Sequence, residues 1–225
     1  MLMLIPYQVD VPMKRWPVAN FAIIGLTVFV FFGLISTAMR SDDLGAFESM
    51  VLNGWDVRGM FGHIFLHAGW MHLFGNMLFL WVFGNAICAK IGNVWYPVLY
   101  LGLGLFAAAT HNIFSSGLMV GASGAINGIV GLFLIWYPIN SVSCFYLFIF
   151  RPGSFSISSY WMILLWLVFD ILGLATGGEA VAYWAHIGGF AVGVVTGIAL
   201  LKSGIVEMES TEKSLLDLMA RNTEE

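Results

Sequence analysis

Charge is scarce in this chain. Only 10% of its 225 residues are Asp, Glu, Lys or Arg, where soluble domains carry about 25%. With 60% hydrophobic residues and a mean hydropathy of +0.88, a large soluble core is excluded and an integral membrane protein is indicated. Cysteine is equally sparse. Cys88 and Cys144 are too few for a disulfide framework and sit in no metal-like cluster, so both read as free thiols. The net charge of -4 is scattered, and the lack of a basic patch excludes a nucleic-acid partner. There is no HExxH and no internal repeat of 20–50 residues. The first hydrophobic run follows Lys14-Arg15 as a signal peptide would, but it is long and has no clear small-x-small cleavage site, so it reads as a retained anchor.

What is abundant is hydrophobic runs. They lie near 18–39, 66–89, 94–113, 122–138, 160–174 and 182–201, the fourth and fifth being short of the roughly 20 residues of a full span. The expected architecture is an all-α polytopic bundle of six transmembrane helices over 18–202. A short segment (1–17) precedes it and a charged tail (203–225), read as a solvated helix, follows. The stretch 142–150 is apolar but too short to cross, and is expected at the interface or against the bundle. Counting Lys and Arg orients the spans: Lys14, Arg15, Lys90, Arg151, Lys202, Lys213 and Arg221 fall on one side, Arg40 and Arg58 on the other with Asp42, Asp43, Glu48, Asp56 and Glu179. The rule that basic loops stay inside makes both termini cytoplasmic. The first outer loop, about 40–62, carries Trp55 and Arg58 and reads as interfacial structure.

Polar residues inside spans are functional candidates by default. Those singled out are His63, His67, His72, Asn76, Ser123, Asn127, Asp170 and His186. Counting up from Lys90, Pro138 and Lys202 at 1.5 Å per residue places Asn76, Ser123 and His186 ~21, ~22 and ~24 Å above their basic ends. Three helices of the same direction thus present a polar group in one layer of a core ~30 Å thick. Ser123 stands between glycines (Gly121, Gly124), either as a packing device or as a nucleophile. Gly124 and Gly128 make a small-xxx-small pair, and Gly189 and Gly193 share a face with His186, so the fourth and sixth spans are expected to pack closely.

A serine facing a histidine makes a nucleophile–base pair: His186 would take the hydroxyl proton during attack on a carbonyl. No acidic residue is brought to His186 by the sequence, Asp170 and Glu179 included, so a dyad is the economical reading. The Ser123 N–H, at the start of a helix, and the i, i+4 pair His72 and Asn76 are available as oxyanion donors. His72 and Asn76 could equally bond a neighbouring helix. The histidines at 63, 67 and 72 form a poor metal set, and neither metal nor cofactor is expected.

These motifs, His-x-x-x-Asn (His72, Asn76), Gly-x-Ser-Gly (Gly121, Ser123, Gly124) and Ala-His-x-x-Gly (Ala185, His186, Gly189) with Gly193 beyond, resemble those of the rhomboid intramembrane serine proteases. The resemblance covers about 18–202. It implies a six-helix bundle with a cavity open to the outer side, Ser123 as nucleophile, His186 as base and oxyanion contacts from His72, Asn76 and the Ser123 N–H. It also implies membrane-spanning protein substrates, single-span or polytopic, within the lipid bilayer, and lateral access past the fifth helix. The chain departs from the family pattern twice. Trp55 and Arg58 are not adjacent, and Asn127 stands where an aromatic residue often stacks on the histidine. The alternative is a catalytically silent relative that binds membrane clients. A transporter would want charge relays or an inverted repeat. A bacterial inner membrane is the expected location.

Overall fold

The computed structural model describes residues 2–41, 44–148, 151–178 and 181–221. Asp42, Asp43 and Glu179, counted above among the outer charges, and the tail residues 222–225 lie outside them. In chain order the elements are β1 (Leu2–Val9), α1 (Val18–Ser41), α2 (Gly45–Glu48), α3 (Val57–Gly62), a single 3-10 turn, α4 (Trp70–Phe79), a π-helical turn (Leu80–Gly84) and α5 (Asn85–Ile91). Then come α6 (Trp95–Phe114), α7 (Ser123–Trp136), β2 (Ser141–Phe148), β3 (Arg151–Ser158), α8 (Ser159–Ala175), α9 (Tyr183–Lys202) and α10 (Leu215–Arg221). Among the described residues four helices are long and apolar enough to cross a membrane: Val18–Arg40, the continuous Trp70–Ile91, Trp95–Phe114 and Tyr183–Lys202. Ser123–Trp136 and Ser159–Ala175 are apolar but shorter.

The shortness of α7 has a physical basis. At 1.5 Å per residue it is only ~21 Å long, yet eleven of its fourteen residues are buried. It therefore contacts protein rather than lipid, and its length need not match a bilayer. Its Trp136 indole donates to the Gly197 carbonyl of α9 at 3.1 Å.

Close approach of α7 and α9 depends on missing side chains. A Cβ on Gly189 would collide with the Gly124 carbonyl, and one on Gly193 with the backbone of Gly128. Gly124 and Gly128 in turn face Ala107 and Leu103 of α6. Helices in lipid associate through such contacts because no hydrophobic gradient drives them together.

At the opposite end of α7 the all-α expectation is corrected. A three-stranded antiparallel sheet, ordered β1-β2-β3, joins the N-terminal segment to the hairpin between α7 and α8. Val9 pairs with Val142, and Val142 with Ile157. Val142 and Cys144 point inward and are buried, the period of two that a half-buried strand requires. Most of the apolar stretch 142–150 is strand β2, which ends at Phe148; residues 149 and 150 lie outside the described residues. Beyond β3, the Ser159 hydroxyl donates to the carbonyls of Tyr137 and Pro138, tying the foot of α8 to the end of α7.

Two amides omitted from the candidate set above hold the same half of the bundle. Asn20 of α1 donates to the Leu80 carbonyl and to Asn85 Oδ1, each at 2.8 Å, and accepts from Tyr96 at 2.7 Å. Leu80 opens the π-helical turn, and its carbonyl also receives the Asn85 N–H.

The tail departs from the solvated reading. Glu212, 8% exposed, pairs with Lys90 and accepts the Glu209 N–H at 2.8 Å, while Glu209 pairs with Lys14. These pairs bring segments from both ends of the chain to the foot of α5. Removing one partner of a buried ion pair leaves the other charge unpaired. Glu212→Ala is therefore expected to destabilise the fold by about 3 kcal/mol, read as a lowered Tm in detergent, whereas Glu209→Ala at the exposed pair should change Tm little.

Candidate active site

Ser123 is the first residue of α7, and the loop before it is shaped by backbone contacts. Gly121 has φ 123°, a conformation that side chains other than glycine rarely adopt. Its N–H donates to the His63 carbonyl at 2.8 Å. Two residues earlier Met119 and Leu52 exchange both backbone hydrogen bonds, at 3.0 and 3.1 Å. The segment from Leu52 to His63 therefore clamps the serine loop. Asp56, which separates Trp55 from Arg58, accepts the Gly59 N–H at 3.0 Å as the N-cap of α3. The insertion between the tryptophan and the arginine thus starts a helix.

His63 is outside the membrane-crossing helices and is almost fully buried. Its Nδ1 meets the Gly59 carbonyl at 2.9 Å, and burial pushes its pKa down to about 4, so the ring is neutral at ordinary pH. His67 is buried with its ring edge-on to His72, centroids 5.0 Å apart. His111 is buried, and its Nε2 meets the Gly117 carbonyl at 2.8 Å.

Six of the side chains singled out from the sequence line two cavities, and His63 and His67 line neither. One of about 240 Å³ is lined by Asn76, Ser123, Asn127, Asp170 and His186, with Phe79 and Trp166 among its apolar walls. His72 lies in the wall of a larger cavity of about 730 Å³ beside it, together with the 115–120 loop and Tyr183. Gly121 lies between the His72 ring and the serine: a Cβ there would lie 2.7 Å from the ring and 3.7 Å from Ser123 Oγ. The missing side chain keeps the space between them clear.

Within the smaller cavity the two amides anchor on their own helices. Asn76 Nδ2 donates to the His72 carbonyl at 2.9 Å, and Asn127 Nδ2 to the Ser123 carbonyl at 3.0 Å. Each keeps a second N–H and a carbonyl oxygen for other partners. Among the described residues no direct hydrogen bond joins the Ser123 hydroxyl to the His186 ring, and such bonds are often long before substrate binds.

His186 has a carboxylate partner that the sequence reading did not supply. Its Nδ1 stands 3.0 Å from Asp170 Oδ1 of α8, with both side chains largely buried. The signal was present in the spacing. Asp170 sits five residues before the end of α8 and His186 three residues into α9, so an antiparallel hairpin brings them level. Glu179, the other acid weighed there, is among the residues not described.

A model of the Rhomboid domain matches residues 54–203. RHOMBOID-like protein 1 of Arabidopsis thaliana is 31% identical over 169 residues, 73% of this chain and 40% of that protein. Rhomboid protease GlpG of Klebsiella pneumoniae is 29% identical over 134 residues, 60% of this chain and 45% of the relative. The mitochondrial Rhomboid protein 1 of Saccharomyces cerevisiae is 29% identical over 154 residues, 63% and 41%. The chain thus spans less than half the length of these relatives. The matched stretch runs from the segment that clamps the serine loop to the end of the histidine-bearing helix, and by that match the chain belongs to the rhomboid family.

Proposed function

We propose that this protein is an intramembrane serine endopeptidase that cleaves membrane-spanning protein segments through Ser123 and His186. The observation that carries the reading is that Ser123, Asn76 and His186, from three different helices, line one cavity. Names of relatives that include a protease add to it. In this reading six helices cross the bilayer, the four long ones and the shorter α7 and α8. The end holding Lys14, Lys90 and Glu212 faces the cytoplasm, and a bacterial inner membrane is the setting. The protease domain is 18–202.

The chemistry follows from the side chains. With Nδ1 facing Asp170, His186 offers Nε2 as the base. It takes the Ser123 proton as Oγ bonds to the scissile carbonyl carbon. The oxyanion so formed meets the Ser123 N–H, one of the helix-start donors without an intrahelical partner, together with the free Asn76 N–H and the His72 ring. His186 then gives the proton to the leaving amine as the C–N bond breaks. Water, deprotonated by the same nitrogen, releases the acyl group from Oγ. Burial excludes competing nucleophiles and strengthens the donors.

A fluorophosphonate applied to the folded protein in liposomes is expected to leave one covalent adduct, on Ser123, located by mass spectrometry. A folded protein that takes no adduct yet still retains a single-span client would overturn this reading in favour of a silent, client-binding relative.

A further inference from the structure

Asp170 is the one acidic residue in the six apolar helices. An ionisable side chain at such a place is expensive unless partnered and used. Its partner is the His186 ring at 3.0 Å, and both line the cavity that holds Ser123. The half of α8 that bears it is otherwise weakly held, since the buried residues of that helix are Ser159, Met162 and Ile163, all near its foot. Apolar packing therefore does not explain an aspartate here.

We infer that Asp170 is a positioning residue for the base, a third member that fixes the tautomer and the ring orientation of His186. The inference rests on the protease reading above. A carboxylate oxygen only accepts hydrogen bonds, so the ring proton of a neutral imidazole must stand on Nδ1 to meet it. The lone pair is then on Nε2, the nitrogen left to face Ser123. Without that acceptor the two tautomers compete, and the one with Nε2–H cannot take the serine proton. Tyr183 stands edge-on to the ring, with centroids 6.4 Å apart, and Asn127 spends one N–H on the Ser123 carbonyl; the acceptor that meets Nδ1 is Asp170. His72 of α4 accepts the Ala68 N–H.

The test uses the full chain in liposomes with a single-span substrate, comparing wild type, Asp170→Asn and Asp170→Glu. Asp170→Asn is expected to lower kcat by at least about 10²-fold with KM nearly unchanged; loss of the tautomer-fixing carboxylate costs a serine-protease triad about 10⁴-fold. Asp170→Glu should recover part of the loss. Nitrogen-15 NMR of His186, at a pH where the ring is neutral, should show the Nδ1–H tautomer in wild type and a mixture in Asp170→Asn. The inference is overturned if Asp170→Asn keeps wild-type kcat or gains activity, or if wild type itself carries the proton on Nε2. A wild-type protein that neither cleaves nor labels at Ser123 instead defeats the protease reading, and the inference with it.

Discussion

Ser123→Ala and His186→Ala are each expected to lower single-turnover cleavage of a membrane-spanning substrate by on the order of 10⁴-fold, and the double substitution should lower it no further. Nucleophile and base act as a unit: without the hydroxyl there is nothing for the imidazole to deprotonate, and without the imidazole the hydroxyl is a poor nucleophile. What survives is stabilisation by donors aimed at the oxyanion, which neither substitution removes. Ser123→Ala should not disturb folding, because the Ser123 carbonyl, not its hydroxyl, is in the hydrogen bond with Asn127. His186→Ala leaves the Asp170 carboxylate without its partner, so its Tm should fall; a cooperative melt in detergent above the assay temperature shows that folded protein is being compared. Multiplicative losses in the double variant would mean that the residues act separately, and undiminished cleavage in either single variant would end the serine mechanism.

Gly189→Ala is expected to cost about 10²-fold in kcat although the residue touches no substrate. The added methyl would meet the Gly124 carbonyl, a backbone atom unable to rotate away. The helices must then separate by a fraction of an ångström to an ångström. Gly124 adjoins Ser123 and Gly189 is one turn from His186, so the added gap falls between nucleophile and base, where a displacement of about 1 Å costs about 10²-fold. Gly197→Ala is the control. There the new methyl would lie 3.2 Å from the Ile135 side chain, which can yield, and the site is far away. Its kcat should stay within a few-fold of wild type. A Gly189→Ala protein with wild-type kcat would show that α7 and α9 do not set the distance between the two side chains.

The helical part of this architecture was legible because hydropathy and a rise of 1.5 Å per residue are enough to find apolar helices and to count depth along them. Counting from Lys90, Pro138 and Lys202 puts Asn76, Ser123 and His186 in one layer, and the three line one cavity. What the sequence hid was pairing across the chain. Strand β1 has no reason to be a strand until β2 lies beside it, and the two are more than a hundred residues apart. The alternation of Phe155 and Ile157 with Ser154, Ser156 and Ser158 in β3 was the readable clue. Glu212 looked like tail charge because its partner Lys90 is 122 residues away. Asp170 was weighed and set aside because depth was counted only for helices running in the direction of Ser123. An antiparallel helix contributes to the same layer, counted from its other end.

One feature of α8 bears on when the site is assembled. Its foot is pinned by Ser159 to the carbonyls of Tyr137 and Pro138, while its far end leads into Gly177 at φ 70°. If the helix swings, it would do so as a lever about that foot. Asp170 is eleven residues from Ser159, ~16 Å along the axis, so a swing of about 10° would carry its carboxylate ~3 Å, enough to break its bond to His186. Opening that side of the cavity and disarming the base would then be one motion. The helix would act as an interlock, under which the nucleophile is armed only while the door is shut.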